Sequence, residues 1–559
     1  MTVTTMDVDA LRAEAARWLA DDPDPAGRDE LRDLLDRLPA SAAELADRFA
    51  GPLTFGTAGL RGPLRAGPNG MNLAVVRRAA AGLTGWLRAR AANGPIVIGY
   101  DGRHGSQEFA RETARVATGA GFAALVLPRP LPTPVLAYAV RALSASAGVM
   151  VTASHNPRVD NGYKVYLGGD LGGPGGDGAQ IVPPADREIE AAIRAVGPLS
   201  TVPLGGPGEV LDESIVESYL AGAVAVLDPM VVVPAERAAL QVAYTALHGV
   251  GEQVVRAAFE RAGFAAPASV AEQAEPDPDF PTTAFPNPEE PGVIDRVIGL
   301  AAANRADLAI ANDPDADRCA VAIPDPAVPA GWRMLRGDEL GILLADHLMR
   351  RGTAGTYATT IVSSSLLRRL CAARGRPYAE TLTGFKWIVR ADLDLAYGYE
   401  EALGYCVAPG LVRDKDGITA ALLTGEIAAG LKAELRTLTD RLDELAVEFG
   451  VYATDQLSIR VDDLAEIAEA MATLRSRPPA SLLDEPVTEV DDLLPEADVL
   501  VLHAGSARMV ARPSGTEPKL KVYLEVVEPV PDGDVPAARE RAAASLVALR
   551  TESAAALGL

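Results

Sequence analysis

One stretch of the chain places a hydroxyl, an imidazole and a lysine close together. The segment VMVTASHNPRVDNGYKVY (149–166) runs from an apolar strand into Ser154 and His155, and Lys164 follows ten residues after Ser154. Small residues around Ser154 let the backbone turn sharply and expose the hydroxyl, and the following chain can bring Lys164 back beside it. The segment predicts a nucleophile loop, and an ordinary turn in which Ser154 caps backbone groups is the alternative.

A second stretch brings three carboxylates together. In ADLAIANDPDADRCAVAI (306–323), two apolar runs bracket Asp313, Asp315 and Asp317. Alternate side chains of an extended loop point the same way, and three converging carboxylates repel one another unless a cation lies between them. Oxygen ligands without His or Cys suit Mg²⁺. The pattern predicts a magnesium site, with a solvated acidic turn as the alternative, and Arg318 beside it suits a phosphoryl oxygen.

A third stretch has the chemistry of a phosphate cradle. ARPSGTEPKLKVYLE (511–525) offers a guanidinium, two hydroxyls, free backbone N–H groups and nearby lysines. The residues concerned are Arg512, Ser514, Gly515, Thr516 and Lys519 or Lys521. The alternative interpretation of this segment is an ordinary Pro/Gly turn before a strand.

Three weaker motifs complete the set, and each also fits a structural loop. Glu400 or Glu401, in YGYEEALGYCVAPGLVRDKDGITA (397–420), offers a carboxylate that can accept hydrogen bonds from sugar hydroxyls. Gly384 and Lys386 lie in LTGFKW (382–387), where the lysine stands beside aromatic residues. Arg61 lies in the Gly-rich loop LTFGTAGLRGP (53–63).

Composition narrows the class of protein. The 559 residues carry a formal charge of −24, which disfavours DNA, RNA and anionic lipid as partners, so an anionic substrate needs a local basic site. No apolar run reaches the roughly 18 residues of a membrane span. The acidic N-terminus lacks the features of a signal peptide, and three scattered cysteines do not form a disulfide framework. We therefore expect a cytoplasmic protein.

The elements that must position these residues follow a repeated pattern. Residues 1–50 predict two helices from their apolar stripes. An apolar run, a small-residue turn and a helix-like segment recur at 95–122, 239–264 and 356–375, which favours repeated α/β domains. The last block has strand-like runs and a final Ala-rich helix, typical of a smaller α+β domain.

At these residues the sequence resembles the α-D-phosphohexomutase superfamily, which contains the phosphoglucomutases and phosphomannomutases. The motifs FGTAGLRG, TASHNP with NGYK, DPDADR, TGFKW, EEALGY and RPSGTEPK stand in the family's order between residues 53 and 525. The resemblance implies four domains around a central cleft, three of related α/β fold and a smaller α+β fourth. We expect a helical prelude at 1–50 and domains at 51–203, 204–325, 326–450 and 451–559.

The resemblance also implies a role for each motif. Ser154 corresponds to the phosphorylated serine, which also supplies a ligand to Mg²⁺ together with Asp313, Asp315 and Asp317. The groups expected to act on the transferring phosphoryl group are Arg61, His155, Lys164 and Arg318, with Lys164 as a candidate general acid. The groups expected to bind substrate are Gly384, Lys386, Glu401, Arg512, Ser514, Gly515, Thr516 and Lys521.

These roles imply a phosphosugar mutase, an intramolecular phosphotransferase. It is expected to move a phosphoryl group between the 1- and 6-positions of glucose or mannose phosphate through a phosphoserine and a sugar 1,6-bisphosphate, which also serves as activator. Expected partners are small sugar phosphates, with no nucleic acid or membrane, and the chain is expected to be a monomer or a homodimer.

One departure from the family keeps alternatives open. Tyr405 stands where many bacterial phosphomannomutases have a histidine, and EEALGY with RDKDG resembles the branch holding phosphopentomutase and glucose-1,6-bisphosphate synthase. A metal-dependent sugar phosphatase and a non-catalytic sugar-phosphate sensor are the rivals from other classes.

Overall fold

The computed structural model describes residues 8–56, 59–461, 464–514 and 519–557. The chain forms two compact units. The first unit is Met1–Leu335 with Ala402–Gly430, and the second unit is Arg336–Glu401 with Leu431–Leu559. Among the described residues, no helix has both the length and the apolar character needed to cross a membrane.

The first unit begins with three helices, so the prediction of two was wrong by one. They are α1 (Val8–Asp21), α2 (Pro25–Asp36) and α3 (Ala42–Arg48). Pro25 suits the first turn of α2, which Asp24 caps by accepting a backbone hydrogen bond. Leu31, Leu34 and Leu45 pack into a small core of their own. α3 has only seven residues, too few to show a full apolar stripe in the sequence.

A seven-stranded sheet forms the next part of the first unit. Its elements are β1 (Leu60–Pro63), α4 (Leu73–Ala89), β2 (Ile96–Tyr100), α5 (Ser106–Gly119), β3 (Ala124–Val126), α6 (Thr133–Ala142), β4 (Ala147–Val151), β5 (Asp160–Leu167), β6 (Ala179–Gln180), α7 (Ala185–Arg194) and β7 (Glu209–Val210). The main strand order is β1-β5-β4-β2-β3-β7, and β6 pairs with β5. Strands β2 and β4 are parallel and buried along their whole length, as expected for strands covered on both faces.

A second sheet in the first unit has five strands. The elements are α8 (Ser214–Val224), α9 (Pro234–Ala239), β8 (Val242–Thr245), α10 (Glu252–Arg261), β9 (Ala268–Ser269), α11 (Asp295–Asn304), β10 (Leu308–Ala311), β11 (Ala320–Pro324) and β12 (Trp332–Met334). The strand order is β12-β11-β10-β8-β9. β10 and β11 are antiparallel neighbours, so the acidic segment 312–319 is the loop that joins them.

The second unit opens with a parallel sheet. Its elements are α12 (Gly337–Arg350), β13 (Thr356–Thr360), α13 (Leu366–Arg374), β14 (Tyr378–Thr381), α14 (Phe385–Ile388) and β15 (Leu395–Glu400). β13 pairs in parallel with β14 on one side and β15 on the other. The chain then contributes β16 (Gly404–Cys406) and most of α15 (Gly417–Ala433) to the first unit.

The rest of the second unit is built on an antiparallel sheet. Its elements are α16 (Leu438–Phe449), β17 (Val451–Arg460), α17 (Leu464–Ser476), β18 (Ser481–Leu482), β19 (Glu485–Pro486), β20 (Glu489–Asp492), β21 (Leu500–Ala504), β22 (Ala507–Pro513), β23 (Lys519–Glu528) and α18 (Val535–Ala556). The five-stranded order is β17-β23-β22-β21-β20. Met509 and Ala511 of β22 face the core beneath α17 and α18, whereas Val510 packs with Val362 on the other face.

The predicted fold class is confirmed. Sheets of mixed or parallel strands alternate with helices through the first three sheet regions, and an antiparallel sheet with two helices ends the chain. This is the arrangement of three α/β domains followed by a smaller α+β domain.

Candidate active site

Ser154 lies in the turn that follows β4. Its backbone has a φ of +51°, in the left-handed region, so the chain reverses sharply there. The Ser154 hydroxyl donates a hydrogen bond to Asp313 Oδ2 at 2.7 Å and lies 3.2 Å from His155 Nδ1. Ser154 is 3% exposed, so the expectation of an exposed hydroxyl was wrong. The hydroxyl turns inward because the carboxylate loop supplies its acceptor.

Asp313, Asp315 and Asp317 form one buried cluster. Each is at most 1% exposed, and one oxygen from each lies within 4.8 Å of the others. Ala316, in the left-handed region at φ +53°, allows the tight loop. Thr133 holds Asp315 by donating from its amide to the Asp315 carbonyl at 2.9 Å and from its hydroxyl to Oδ2 at 2.7 Å. The structure thus brings the three predicted carboxylates together.

Two lysines balance this negative charge. Lys164, on β5, lies 2.8 Å from Asp315 Oδ2 and 3.0 Å from Asp317 Oδ2. Lys415 Nζ lies 3.4 Å from Asp317 Oδ2. Sequence reasoning did not select Lys415, although its place between two aspartates in RDKDG, just before a helix, was a usable signal. Burial by itself would lower the pKa of Lys164, but Asp315 and Asp317 raise it, so the ammonium form is favoured.

The three carboxyl groups differ in their titration. Burial raises the pKa of Asp313 well above its ordinary value, and Asp315 and Asp317 add to the shift. Burial acts in the same direction on Asp317, but Lys164 and Lys415 outweigh it and lower the pKa of that group. The pKa of Asp315 is likewise lowered, against burial, chiefly by Lys164. The lysine contacts therefore favour the charged forms of Asp315 and Asp317, whereas burial favours the protonated form of Asp313.

The cluster fits a hard divalent cation. Asp315 Oδ1 and Asp317 Oδ1 are buried and have no hydrogen-bond partner among the described residues. Buried carboxylate oxygens are normally satisfied, so such atoms suggest an absent ligand. A donor set made only of oxygen suits Mg²⁺.

Arg103 is a second residue that sequence reasoning missed. Its guanidinium donates to four backbone carbonyls of the Ser154 turn. They belong to Ser154 (2.5 Å), Asn156 (2.6 Å), Pro157 (2.9 Å) and Asp160 (3.2 Å). Asp101 pairs with Arg103 at 3.3 Å, and the guanidinium stacks 4.9 Å from the centre of the Phe280 ring. The sequence feature that could have identified Arg103 is its position just after β2. Because β2 and β4 are parallel, the residues that follow them, including Arg103 and Ser154, lie at the same edge of the sheet.

The other predicted catalytic groups, Arg61, Arg318 and His155, contact the Ser154 turn or the aspartate loop. Arg61, on β1, donates to Asn156 Oδ1 at 3.0 Å, and burial lowers its pKa. The Arg318 amide donates to Asp313 Oδ1 at 3.0 Å, while its guanidinium pairs with Glu289 at 3.4 Å. Burial, followed by Arg318, lowers the pKa of His155 well below the usual range, so its ring is neutral near pH 7.

In the second unit, the structure places the predicted sugar-recognition residues at the ends of β15 and β14. Glu401 follows β15 directly, and its carboxylate accepts hydrogen bonds from Ser363 Oγ at 3.1 Å and Thr360 Oγ1 at 3.3 Å. Gly384 precedes α14 with a φ of +113°, a conformation that favours glycine. Lys386 lies in α14, with its Nζ 5.9 Å from the centre of the Trp387 ring.

Two residues of the predicted phosphate cradle lie on β22 and β23. Arg512 and Lys521 stand directly opposite each other across this ladder. Like charges in that position repel, so the pair suits a bound anion. The Ser514 amide donates to the Lys519 carbonyl at 2.7 Å. Gly515 and Thr516 lie outside the described residues.

The predicted site residues therefore divide between the two units. Ser154, the three aspartates, Arg61, Lys164 and Arg318 belong to the first unit, and Glu401, Lys386, Arg512 and Lys521 belong to the second. The assignment of all these residues to one catalytic cavity stays a prediction.

Family models match four successive segments of the chain. Residues 52–198, 217–326 and 336–448 match the phosphoglucomutase/phosphomannomutase alpha/beta/alpha domains I, II and III, and residues 458–537 match the C-terminal domain of the same family. The matched segments cover most of the 559 residues.

Individual relatives agree with the family models. A Haemophilus influenzae protein named "Probable phosphomannomutase" is 45% identical over 82% of this chain and 93% of its own length. The phosphopentomutase of Mus musculus is 32% identical over 94% of this chain and 91% of its own length. A solved phosphoglucomutase/phosphomannomutase family protein from Burkholderia thailandensis shares the fold, with a TM-score of 0.66, 20% identity and coverage of 89% of this chain and 97% of its own. This chain belongs to the phosphoglucomutase/phosphomannomutase family, within the α-D-phosphohexomutase superfamily that its motifs predict.

Proposed function

We propose that the protein is a phosphosugar mutase that moves a phosphoryl group between the 1- and 6-positions of a hexose phosphate, with glucose and mannose phosphates as substrates. The observation that carries the proposal is the contact of the Ser154 hydroxyl with Asp313 at 2.7 Å, inside a buried carboxylate cluster balanced by Lys164. A hydroxyl beside such a cluster suits transfer of a group whose own oxygens are negatively charged.

In the first half-reaction, Ser154 carries the phosphoryl group. The free hydroxyl oxygen of the sugar monophosphate forms a bond to phosphorus, and the bond between phosphorus and Ser154 Oγ breaks. The hydroxyl proton passes to a base of the site, and the Ser154 oxygen takes a proton from Lys164, whose ammonium form its two carboxylate partners favour. The product of this half is a sugar bisphosphate.

In the second half-reaction, the bisphosphate presents its other phosphoryl group to Ser154. The same bonds form and break in reverse, and the isomeric monophosphate leaves. Arg61 and Arg318 bind the phosphoryl oxygens, and neutral His155 hydrogen-bonds the serine oxygen. Arg103 keeps the turn in one conformation throughout, so little reorganisation accompanies transfer.

Asp313, Asp315 and Asp317 would hold Mg²⁺, together with an oxygen of phosphorylated Ser154. When bound, the cation withdraws charge from the phosphoryl oxygens. The two carboxylate oxygens without a hydrogen-bond partner among the described residues support this assignment.

Recognition of the sugar phosphate falls to the second-unit residues in this proposal. Glu401 accepts hydrogen bonds from sugar hydroxyls, while Gly384 and Lys386, which follow β14, also bind the substrate. Arg512, Ser514, Gly515, Thr516 and Lys521 bind the phosphate that does not react. The support is the pairing of two cations across one ladder position and the Glu401 carboxylate at the end of β15.

The test is a substrate comparison with the purified protein, Mg²⁺ and a catalytic amount of the matching sugar bisphosphate. We expect interconversion of glucose 1-phosphate and mannose 1-phosphate with their 6-phosphates, and label from ³²P-bisphosphate on Ser154. Release of inorganic phosphate at the rate of substrate loss would instead indicate a phosphatase. Absence of label on Ser154 with full turnover would contradict the phosphoserine route.

A second candidate is a mutase that prefers pentose phosphates or makes the bisphosphate itself. It is favoured by Tyr405, buried in β16 at the position of the expected histidine, and by the 32% identity to a phosphopentomutase over 94% of the chain. A higher kcat/KM on ribose 1-phosphate than on either hexose phosphate would select this candidate.

A further inference from the structure

Three consecutive serines connect two features of the second unit. Residues 363–365 form a turn between β13 and α13, which we call the serine loop. Ser363 and Ser364 are at most 2% exposed, so their polar groups must find protein partners. Asp338 accepts from the Ser364 amide at 2.7 Å, and two further groups contact the loop: Glu401, and an ion pair on β22 and β23.

The serine loop contacts Glu401. Ser363 Oγ donates to the Glu401 carboxylate at 3.1 Å and accepts from the Glu401 amide at 3.2 Å. Thr360 Oγ1 lies 2.9 Å from the same hydroxyl and 3.3 Å from the same carboxylate oxygen. The direction of the Glu401 carboxylate therefore depends on the position of Ser363.

The loop also contacts an ion pair from the antiparallel sheet. Arg508, on β22, donates to the backbone carbonyls of Ser363 and Ile361. Glu525, on β23, accepts from the Ser365 amide at 2.8 Å and from the Ser365 hydroxyl at 2.6 Å. The cation and the anion thus bind opposite ends of the same loop.

Arg508 and Glu525 also bind each other. They are direct partners in the β22–β23 ladder, and Arg508 Nε lies 3.5 Å from Glu525 Oε1. They are 8% and 3% exposed, and a buried ion pair gains little net stability over a well-packed apolar pair. Each keeps hydrogen-bonding capacity for the loop, which an apolar pair would lack. Alternation along β22 puts Arg508 on the same face as Arg512.

We propose that Arg508 and Glu525 are positioning residues for the substrate. They fix the serine loop, and Ser363 transmits this position to the Glu401 carboxylate, so the strand that carries the phosphate-binding Arg512 also sets the acceptor for a sugar hydroxyl. The kinetic consequence rests on the proposed function, in which Glu401 contacts the sugar.

Two conservative variants test the link. Arg508→Lys keeps the positive charge but has one nitrogen for two carbonyls, and Glu525→Gln keeps the shape but has one oxygen for two donors. We expect each to raise KM for the sugar monophosphate about 5- to 10-fold, with kcat within about 2-fold. The reason is that the hydrogen bond between Glu401 and the sugar is made equally in the ground state and the transition state. The matched control is Arg441→Lys, in the half-buried pair with Asp346, which is expected to leave KM unchanged.

A double-mutant cycle separates positioning from general weakening of the fold. In a Glu401→Gln background, Arg508→Lys should raise KM by less than about 2-fold, since the group it positions is already lost. An Arg508→Lys effect on KM that is just as large without the Glu401 carboxylate would overturn the proposal.

Hydrogen exchange supplies a readout that needs no turnover. In Arg508→Lys and Glu525→Gln, backbone amides of residues 361–366 and 399–402 should exchange faster, while those of β17 keep their protection. Unchanged exchange in both segments contradicts the coupling even if the protein is a mutase. Faster exchange in a protein that turns over no sugar phosphate would support the coupling and contradict the proposed function.

Discussion

At the scale of single residues, the Ser154 site is a balance of buried charges. Three carboxyl groups lie within 4.8 Å of one another, and Lys164, Lys415 and Arg318 face them. Burial raises the pKa of Asp313 well above its usual value, whereas lysine contacts lower the pKa of Asp317. The Ser154 oxygen therefore contacts a buried carboxyl group. Nearby cations change the pKa values of the buried carboxyl groups strongly, because little solvent screens the charges.

Ser154→Ala removes the oxygen that is proposed to carry the phosphoryl group. We expect turnover to fall by roughly four orders of magnitude, because the proposed reaction passes through a bond between phosphorus and Ser154 Oγ, which alanine cannot form. Ser144→Ala is the matched control, because Ser144 is exposed and has a similar left-handed φ of +49°. Mutase activity near the wild-type level in Ser154→Ala would refute the phosphoserine assignment.

Asp315→Asn tests the cation site. We expect the Mg²⁺ concentration for half-maximal activity, and for half of the Mg²⁺-induced rise in Tm, to increase at least about 10-fold, because one anionic ligand is lost. Asp491→Asn, in the exposed cluster with Glu489 and His503, is the control. Identical Mg²⁺ titrations of Asp315→Asn and wild type would rule out Asp315 as a ligand.

At the scale of elements, the site is assembled from loops at strand ends. β2 and β4 run parallel with Tyr100 opposite Val151, so the segments after them emerge side by side. The first carries Arg103 and the second carries Ser154. Loops at the carboxyl ends of such strands are common ligand sites because the strands hold their starting points rigidly. The reactive turn is therefore held by a neighbouring loop.

Arg103→Lys tests this support. A lysine keeps the ion pair with Asp101 but cannot reach four carbonyls, so the turn should lose its single conformation. We expect kcat to fall about 10- to 100-fold with a smaller change in KM, because misplacement of the reacting oxygen acts on the transition state. Arg78→Lys is the control, since Arg78 also binds a backbone carbonyl and a carboxylate, but in the N-terminal region. A pure KM effect in Arg103→Lys would show that the turn binds substrate instead of orienting Ser154.

At the scale of the whole molecule, the chain has a net charge of −24, yet the described structure buries cations next to carboxylates and backbone carbonyls. Some carboxyl groups are buried in the fold as well. Asp338 accepts from the Ser364 amide, Tyr399 and Thr454, yet burial raises its pKa to about 6.

Asp338 should make stability depend on pH. Its folded pKa is raised above the unfolded value, so its contribution to stability is greatest below pH 4 and is lost as pH rises through about 6. Asp338→Asn removes this titration. We expect the free energy of unfolding of the variant, relative to wild type, to increase by about 1.5 kcal/mol between pH 5 and pH 8.

Urea unfolding of the two proteins at several pH values measures this difference. Asp532→Asn, at an exposed position of the same unit, serves as the control and should track wild type. A difference between Asp338→Asn and wild type that stays constant from pH 5 to pH 8 would show that Asp338 does not titrate in this range.

The fold class, the family and the aspartate cluster could all be predicted from the sequence alone. Alternating apolar runs and small-residue turns predict the α/β fold class, and six motifs in the family's order predict the family. The Asp313, Asp315 and Asp317 cluster was also predictable, because all three stand within one short loop between two strands. Local spacing suffices when a group of residues is held by neighbouring backbone.

Only the tertiary structure shows which residues far apart along the chain come into contact. Arg103 and Lys415 lie far from Ser154 and Asp317 along the chain, and only strand pairing and loop packing bring them into contact. The burial of Ser154 likewise depends on a carboxylate from another sheet. Such contacts arise where separate elements share one buried space, because each buried polar group there must find its partner wherever the fold supplies one.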